Sequence, residues 1–238
     1  LEDGTRSAIG VAVACASVGI IVGVVSLSGF GLTLAGAIVS LSGGVLFWTL
    51  VMTMVACLVL GMGLPSIPAY IVTATMAAPA LTELGVEPLV AHLFVFYFGL
   101  FANITPPVAL AAFAAAGISG GSPMRTGFAA VKLAAAGFVI PYIFVYNPEL
   151  LLRDVDFMTG LAVVATAVIG ILLLSAALER HFMVNMPWYL CLAIAGAALL
   201  LLNTAALYVM IGAGLAAAVL LVQMIRAKSQ DRLSIRSI

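Results

Sequence analysis

The sequence predicts an all-α protein that crosses a membrane several times, and three observations carry that expectation. Of the 238 residues, 65% are hydrophobic and 8% are charged. A soluble domain carries roughly a quarter charged residues. No Asp, Glu, Lys, Arg or His occurs between Arg6 and Glu83, or between His92 and Arg125. The interruptions inside these runs are uncharged: Gly61-Met-Gly-Leu-Pro-Ser-Ile-Pro68 and Asn103-Ile-Thr-Pro-Pro107. The formal net charge of +0 offers nucleic acid no electrostatic footprint. Cys15, Cys57 and Cys191 lie in separate apolar runs, without the spacing of a metal or redox motif. The chain begins at Leu1 without Met, which suggests the C-terminal part of a longer polypeptide.

Taken in order, Leu1 to Arg6 is polar and Ser7 to Leu27 has the length of a spanning helix. Ser28 to Gly44, rich in Gly and Ser, reads as a short helix with turns, an arm along or near the interface. Val45 to Leu60 and Ala69 to Thr82 read as helices of about 24 Å and about 21 Å. Both fall short of a hydrocarbon core of roughly 30 Å, so a re-entrant hairpin fits better than two complete spans. Glu83 and Glu87 mark the return to water. Pro88 to Ala102 is the next helix, stopped by Asn103-Ile-Thr-Pro-Pro107. Proline blocks the preceding helix but suits the first turn of a new one. Thr105 is therefore the expected N-cap of a helix Pro106 to Ile118.

Further on, Gly120 to Pro123 is a turn, and Arg125 to Tyr146 reads as one helix kinked at Pro141. Asn147 to Asp156 is a polar loop, Phe157 to Leu178 spans, and Glu179 to Asn185 is polar again. Met186 to Leu202 and Thr204 to Ile225 read as two more spans, tightly joined at Asn203, followed by a polar tail. The tail holds Arg226, Lys228, Arg232 and Arg236, which places it in the cytoplasm. Counting back puts the Arg180 loop and the Arg125 turn inside. The loop with Glu149, Arg153, Asp154 and Asp156 falls outside, as do Glu83 and Glu87. The parity is the same whether Val45 to Thr82 is a hairpin or two full spans.

Backbone within hydrocarbon must satisfy its N–H and C=O groups, so unwound stretches persist there only in protein or around a cavity. Each break exposes helix ends. Carbonyls near Gly61, Gly63 and Asn103 suit a hard cation, and N–H groups beyond Ser66 and Thr105 suit an anion. The side-chain oxygens of Ser66, Asn103 and Thr105 add uncharged ligands. Pairs of broken segments point to the site in secondary transporters; a single break is more often a packing kink. Pro65, Ser66, Thr105 and Pro106 are the candidate solute-binding positions.

The remaining polar groups read as structural. His92 is an interfacial or packing residue and His181 a solvated one. Lys132, a cation within a span, is close enough to the cytoplasmic end to snorkel. Trp48, Tyr146, Trp188 and Tyr189 fall where aromatic belts form. Neither a catalytic set nor a phosphate-binding Gly-rich loop is visible, so the chain does not read as an enzyme.

Four ordered segments carry a resemblance: Gly61-Met-Gly-Leu-Pro-Ser-Ile-Pro-Ala-Tyr70, Ala91-His-Leu-Phe-Val-Phe-Tyr-Phe-Gly99, Asn103 to Gly117, and Pro123-Met-Arg-Thr-Gly127. With these the chain resembles the large permease subunit of tripartite ATP-independent periplasmic (TRAP) transporters, most of all the fused form paired with a TAXI-type binding protein. The match covers roughly Glu2 to Leu152 and is looser beyond.

The resemblance implies a bacterial or archaeal inner-membrane protein that takes up small organic anions, typically carboxylates, on a sodium gradient. It implies a periplasmic binding protein and a small membrane subunit or fused N-terminal helices as partners, with no organic cofactor. The implied fold is that of the ion transporter superfamily, in which inverted repeats move as an elevator. On that template residues 1–152 supply the second repeat, with hairpin 45–82 and broken helix 88–118; residues 153–238 add further helices and the tail. The family's sodium sites, at hairpin tips and helix breaks, carry over to Gly61, Gly63, Ser66, Asn103 and Thr105. Two other readings stay open: a channel-like pore, and a structural subunit without a site of its own.

Overall fold

In a computed structural model, which describes residues 2–151, 156–182, 185–203 and 205–236, the regular elements are helices. The backbone contacts divide the chain into two units, Leu1–Ala134 and Ala135–Ile238. The first unit holds α1 (Glu2–Ser28), α2 (Phe30–Leu41), α3 (Leu46–Leu60), α4 (Ser66–Met76), α5 (Ala78–Glu83), α6 (Pro88–Phe101), α7 (Leu110–Ser119) and α8 (Pro123–Leu133). Gly29, at φ 67°, ends α1, and α2 leaves at 70° to the Cys15–Ser28 stretch. Glycine takes that left-handed conformation at no steric cost.

Helices α3, α4, α6 and α7 have 15, 11, 14 and 10 residues. At 1.5 Å per residue the longest reaches about 22 Å, below the hydrocarbon thickness. They pack through small residues. On α3 the fully buried Thr49, Thr53 and Cys57 precede the buried Gly61 at four-residue intervals, one face of a helix. The Ser42 and Thr49 hydroxyls share a hydrogen bond of 2.6 Å that ties the end of α2 to α3. On α6, Ala91, Phe94, Val95 and Phe98 are fully buried. Lipid tails are as apolar as these side chains, so close packing rather than escape from water holds such helices together.

The second unit holds α9 (Ile140–Tyr146), a 3₁₀ turn Pro148–Leu151, α10 (Phe157–Glu179), α11 (Trp188–Leu201) and α12 (Ala206–Arg236). Asp156 caps α10, its carboxylate accepting the Met158 N–H at 3.2 Å. Helices α10 and α11 pack at Gly170, where a methyl would stand 2.8 Å from Leu202 Cγ. Helices α11 and α12 pack at Gly212, where it would stand 2.9 Å from the Leu201 nitrogen. Among the described residues, Phe157–Glu179 and Ala206–Arg226 are the single helices long and apolar enough to cross a membrane. The protein is thus an all-α polytopic membrane protein.

Several elements differ from expectation. The helix Ala69 to Thr82 is two, α4 and α5, because Pro79 has no N–H for the Thr75 carbonyl. Gly31 lies against that carbonyl; a methyl on it would stand 2.7 Å from the oxygen. The helix Arg125 to Tyr146 is also two. Pro141 does not kink a continuous helix: it sits in the first turn of α9, where its missing N–H costs nothing, and the break precedes it. Helix α11 has 14 residues rather than the expected span, about 21 Å, because Pro187 holds its start and the chain turns at Leu202. The tail beyond Ile225 continues as helix to Arg236. The expected boundary at 152/153, the loop charges Arg153 and Asp154, and Thr204 lie outside the described residues.

Candidate solute and ion site

The hairpin tip is built by five residues between α3 and α4. Gly61 closes α3, its N–H donating to the Cys57 carbonyl at 2.9 Å. The Leu64 N–H returns to the Gly61 carbonyl at 3.3 Å, and between them Gly63 turns the chain at φ 74°. Pro65 leads into α4 with φ −58° and ψ 159°, and its carbonyl accepts the Ala69 N–H at 2.9 Å. Pro68 falls in the first turn, where a missing N–H is harmless. Among the described residues no carbonyl accepts the backbone N–H of Ser66 or Ile67. They are the free donors of a helix start.

The second break runs from Ala102 to Ala109. The Asn103 and Ile104 N–H groups close the end of α6 on the Leu100 and Phe101 carbonyls. The Asn103 carbonyl then accepts the Ala111 N–H at 3.0 Å, bridging the break. Thr105 does not cap the following helix. Its hydroxyl donates back to the Phe101 carbonyl at 2.8 Å, and α7 begins only at Leu110. Pro106 and Pro107 remove the N–H groups at the first two positions ahead of the threonine. Pro106–Pro107 is a cis bond, and Ala109 takes φ 33°.

The two breaks meet. A methyl on Gly61 would stand 2.9 Å from the Gly99 carbonyl oxygen, 3.0 Å from Ala102 Cβ and 3.0 Å from the Cys57 oxygen. A methyl on Gly63 would touch Val108 at 3.5 Å. Of the residues singled out in the sequence, Gly61 is buried, Asn103, Thr105 and Pro106 are half-buried, and Gly63, Pro65 and Ser66 are exposed. The tip therefore presents its turn and helix start outward, while its glycine base is clamped on α6. The contact is made by the Gly99 and Cys57 carbonyls, Ala102 and Val108. Among the described residues no group of three His, Cys, Asp or Glu could hold a metal ion.

Sequence reasoning missed two supports. Gly99 lets α4 approach: a methyl there would stand 3.2 Å from Thr73 Oγ1, a hydroxyl turned onto the Ala69 carbonyl at 2.9 Å. Gly127 of α8 carries the Pro106 ring; its methyl would stand 2.9 Å from Pro106 Cγ. Both glycines lay in the ordered segments, but their partners became visible only in three dimensions. Thr53 Oγ1 is buried on α3, with no hydrogen-bond partner among the described residues. His92 is half-buried and shares a 3.0 Å hydrogen bond with the Tyr70 hydroxyl, joining α6 to α4. Lys132 and His181 are exposed.

The brace at Gly127 has a measurable consequence. Gly127→Leu is expected to displace Pro106 and to lower the melting temperature by several degrees, since overpacking of this kind costs about 1–3 kcal/mol. Thermal denaturation beside the wild type checks it.

Apolar helices, many of them too short to cross a membrane alone and broken at paired uncharged turns, define a polytopic membrane protein with unwound segments between its helices. Residues 1–159 match the family described as Tripartite ATP-independent periplasmic transporter, DctM component, and the chain belongs to that family. It is a membrane permease component of a TRAP transporter, a multi-pass inner-membrane protein that works with a periplasmic binding protein, and its family is one of transporters rather than enzymes. Neither the curated proteins nor the solved structures offer a match to the chain.

Proposed function

We propose that this permease couples inward sodium movement to the uptake of small organic anions, carboxylates above all, handed over by a TAXI-type binding protein. The observation that supports it most is the contact of the two uncharged breaks, Gly61 and Gly63 against Ala102 and Val108. Broken helices facing each other supply carbonyl ends for a cation and N–H ends for an anion in one place. Sodium is a hard cation, and its ligands here are all oxygens: the carbonyls of Gly61, Gly63 and Asn103, with the side chains of Ser66, Asn103 and Thr105. The Gly61 and Asn103 carbonyls each accept one internal N–H, which leaves each a second lone pair. The solute carboxylate takes the free N–H groups of Ser66 and Ile67, with Pro65, Thr105 and Pro106 shaping its seat. The seat changes sides as an elevator, carried by the short helices α3 to α7 with a small membrane subunit or fused N-terminal helices as the fixed part. The basic tail stays in the cytoplasm.

Uptake in proteoliposomes holding the complete transporter with its binding protein tests the reading. Asn103→Ala and Ser66→Ala are each expected to raise the half-saturating sodium concentration at least fivefold. Unchanged sodium dependence in both would defeat the assignment.

A further inference from the structure

The second unit contains a cavity of about 240 Å³. Its origin lies in the short α11. The residue after α11, Leu202, sits at Gly170, 13 positions into α10, or about 20 Å along it. Toward the Phe157 end α10 is no longer covered by α11. The space is walled by Ile143 and Phe144 of α9, Leu150 and Leu151 of the 3₁₀ turn, and Ala167 and Ile171 of α10. Leu202 closes it at the end of α11.

Every one of these side chains is aliphatic or aromatic. A buried water needs two to four polar partners, and an apolar cavity of roughly 150 Å³ stays dry and takes apolar guests. The guest is therefore apolar. A single flexible chain fits. Around α10 the exposed residues include Leu161, Val164, Val168 and Leu172, an apolar surface of the kind that faces acyl chains when a helix crosses a bilayer. At the other end lie the exposed Tyr146 and Glu149 and the half-buried Asn147, residue types of the headgroup level. An amphiphile aligned with the membrane matches both ends.

We propose that this cavity holds one acyl chain of a membrane phospholipid, its headgroup beside Asn147 and Glu149, completing a bundle that α11 leaves unfinished. The proposal is independent of what the permease carries.

The complete permease in phosphatidylethanolamine vesicles, doped with a phospholipid bearing a diazirine midway along one chain, tests it. Photolysis is expected to label Ile143, Phe144, Ala167 and Ile171. Ala167→Phe, which fills the space, should cut that labelling at least fivefold while leaving the label on Leu161, Val168 and Leu172 unchanged, a sign that α10 is still folded. If that exposed-face label also falls, the smaller Ala167→Leu replaces it, with a twofold or larger loss expected in the cavity alone. Equal labelling of cavity and exposed face, indifferent to both substitutions, would overturn the proposal. So would a photoactivatable fatty acid labelling the cavity better than the phospholipid, or a protein cross-link forming there from a partner subunit.

Discussion

Gly61→Ala is expected to cut uptake at least tenfold and to lower the melting temperature of the solubilised transporter by several degrees. The backbone at Gly61 is ordinary, with φ −82°, so the residue is not there for conformational freedom. It is there for space. Two of the three nearest atoms to an added methyl are backbone oxygens, of Gly99 and of Cys57, and the third is Ala102 Cβ. None can swing away as the end of a long side chain could. The hairpin must lift from α6 by a few tenths of an ångström, or α3 must tilt. Overpacking of this kind costs about 1–3 kcal/mol. The displacement also falls where the two breaks meet, so activity should suffer more than stability. Gly36→Ala supplies the control. No atom lies within 4 Å of a methyl there, and alanine improves a helix interior by about 0.5–1 kcal/mol. Uptake and thermal denaturation of both variants, measured side by side, decide the matter. Near-normal uptake by Gly61→Ala would mean that the contact does not matter for transport.

How much of this was legible in the sequence follows from what each signal encodes. The two breaks were legible because Gly and Pro punctuate a helix by local stereochemistry alone, and the absence of charge around Gly61 and Asn103 kept them within the apolar runs. The lengths of α3 and α6 followed from the same stops. The start of α7 was not legible. Thr105 has the composition of an N-cap, but its hydroxyl has an alternative acceptor one turn back, at Phe101, and local composition does not arbitrate between them. Pro79 and Pro141 were both visible, yet each lay in an otherwise unbroken apolar run, and hydropathy alone does not tell a kink from a helix start. Least legible were the partners of Gly99 and Gly127. Small residues occur throughout the chain, and which of them faces another helix depends on crossing positions that no periodicity of one helix contains. The cavity beside α10 was hidden for a related reason. It exists because α11 is too short, and α11 was expected to span.

Gly63→Val is expected to impair the permease about as severely as the change at Gly61, but through a different physical cause, and Gly63→Asn separates the two. At Gly63 there is room: a methyl would meet one atom, Val108 Cγ1, at an ordinary 3.5 Å. What is unusual is the backbone, at φ 74°. For an L-residue that conformation costs roughly 1–2 kcal/mol, and more for a β-branched one. Asparagine visits it readily. The tip of the hairpin should therefore accept Gly63→Asn with a melting temperature near wild type and lose several degrees with Gly63→Val. At Gly61 the order differs, because alanine and asparagine both collide with backbone there. In proteoliposomes Gly63→Asn is expected to keep at least a third of wild-type uptake, while Gly63→Val falls below a tenth. In the proposed site the left-handed conformation at Gly63 sets the direction of its carbonyl. The sodium half-saturation should then rise in Gly63→Val even where residual uptake is measurable. Equal behaviour of the valine and asparagine variants would show that conformation at this residue is immaterial, and the carbonyl of Gly63 would have to be removed from the ligand set.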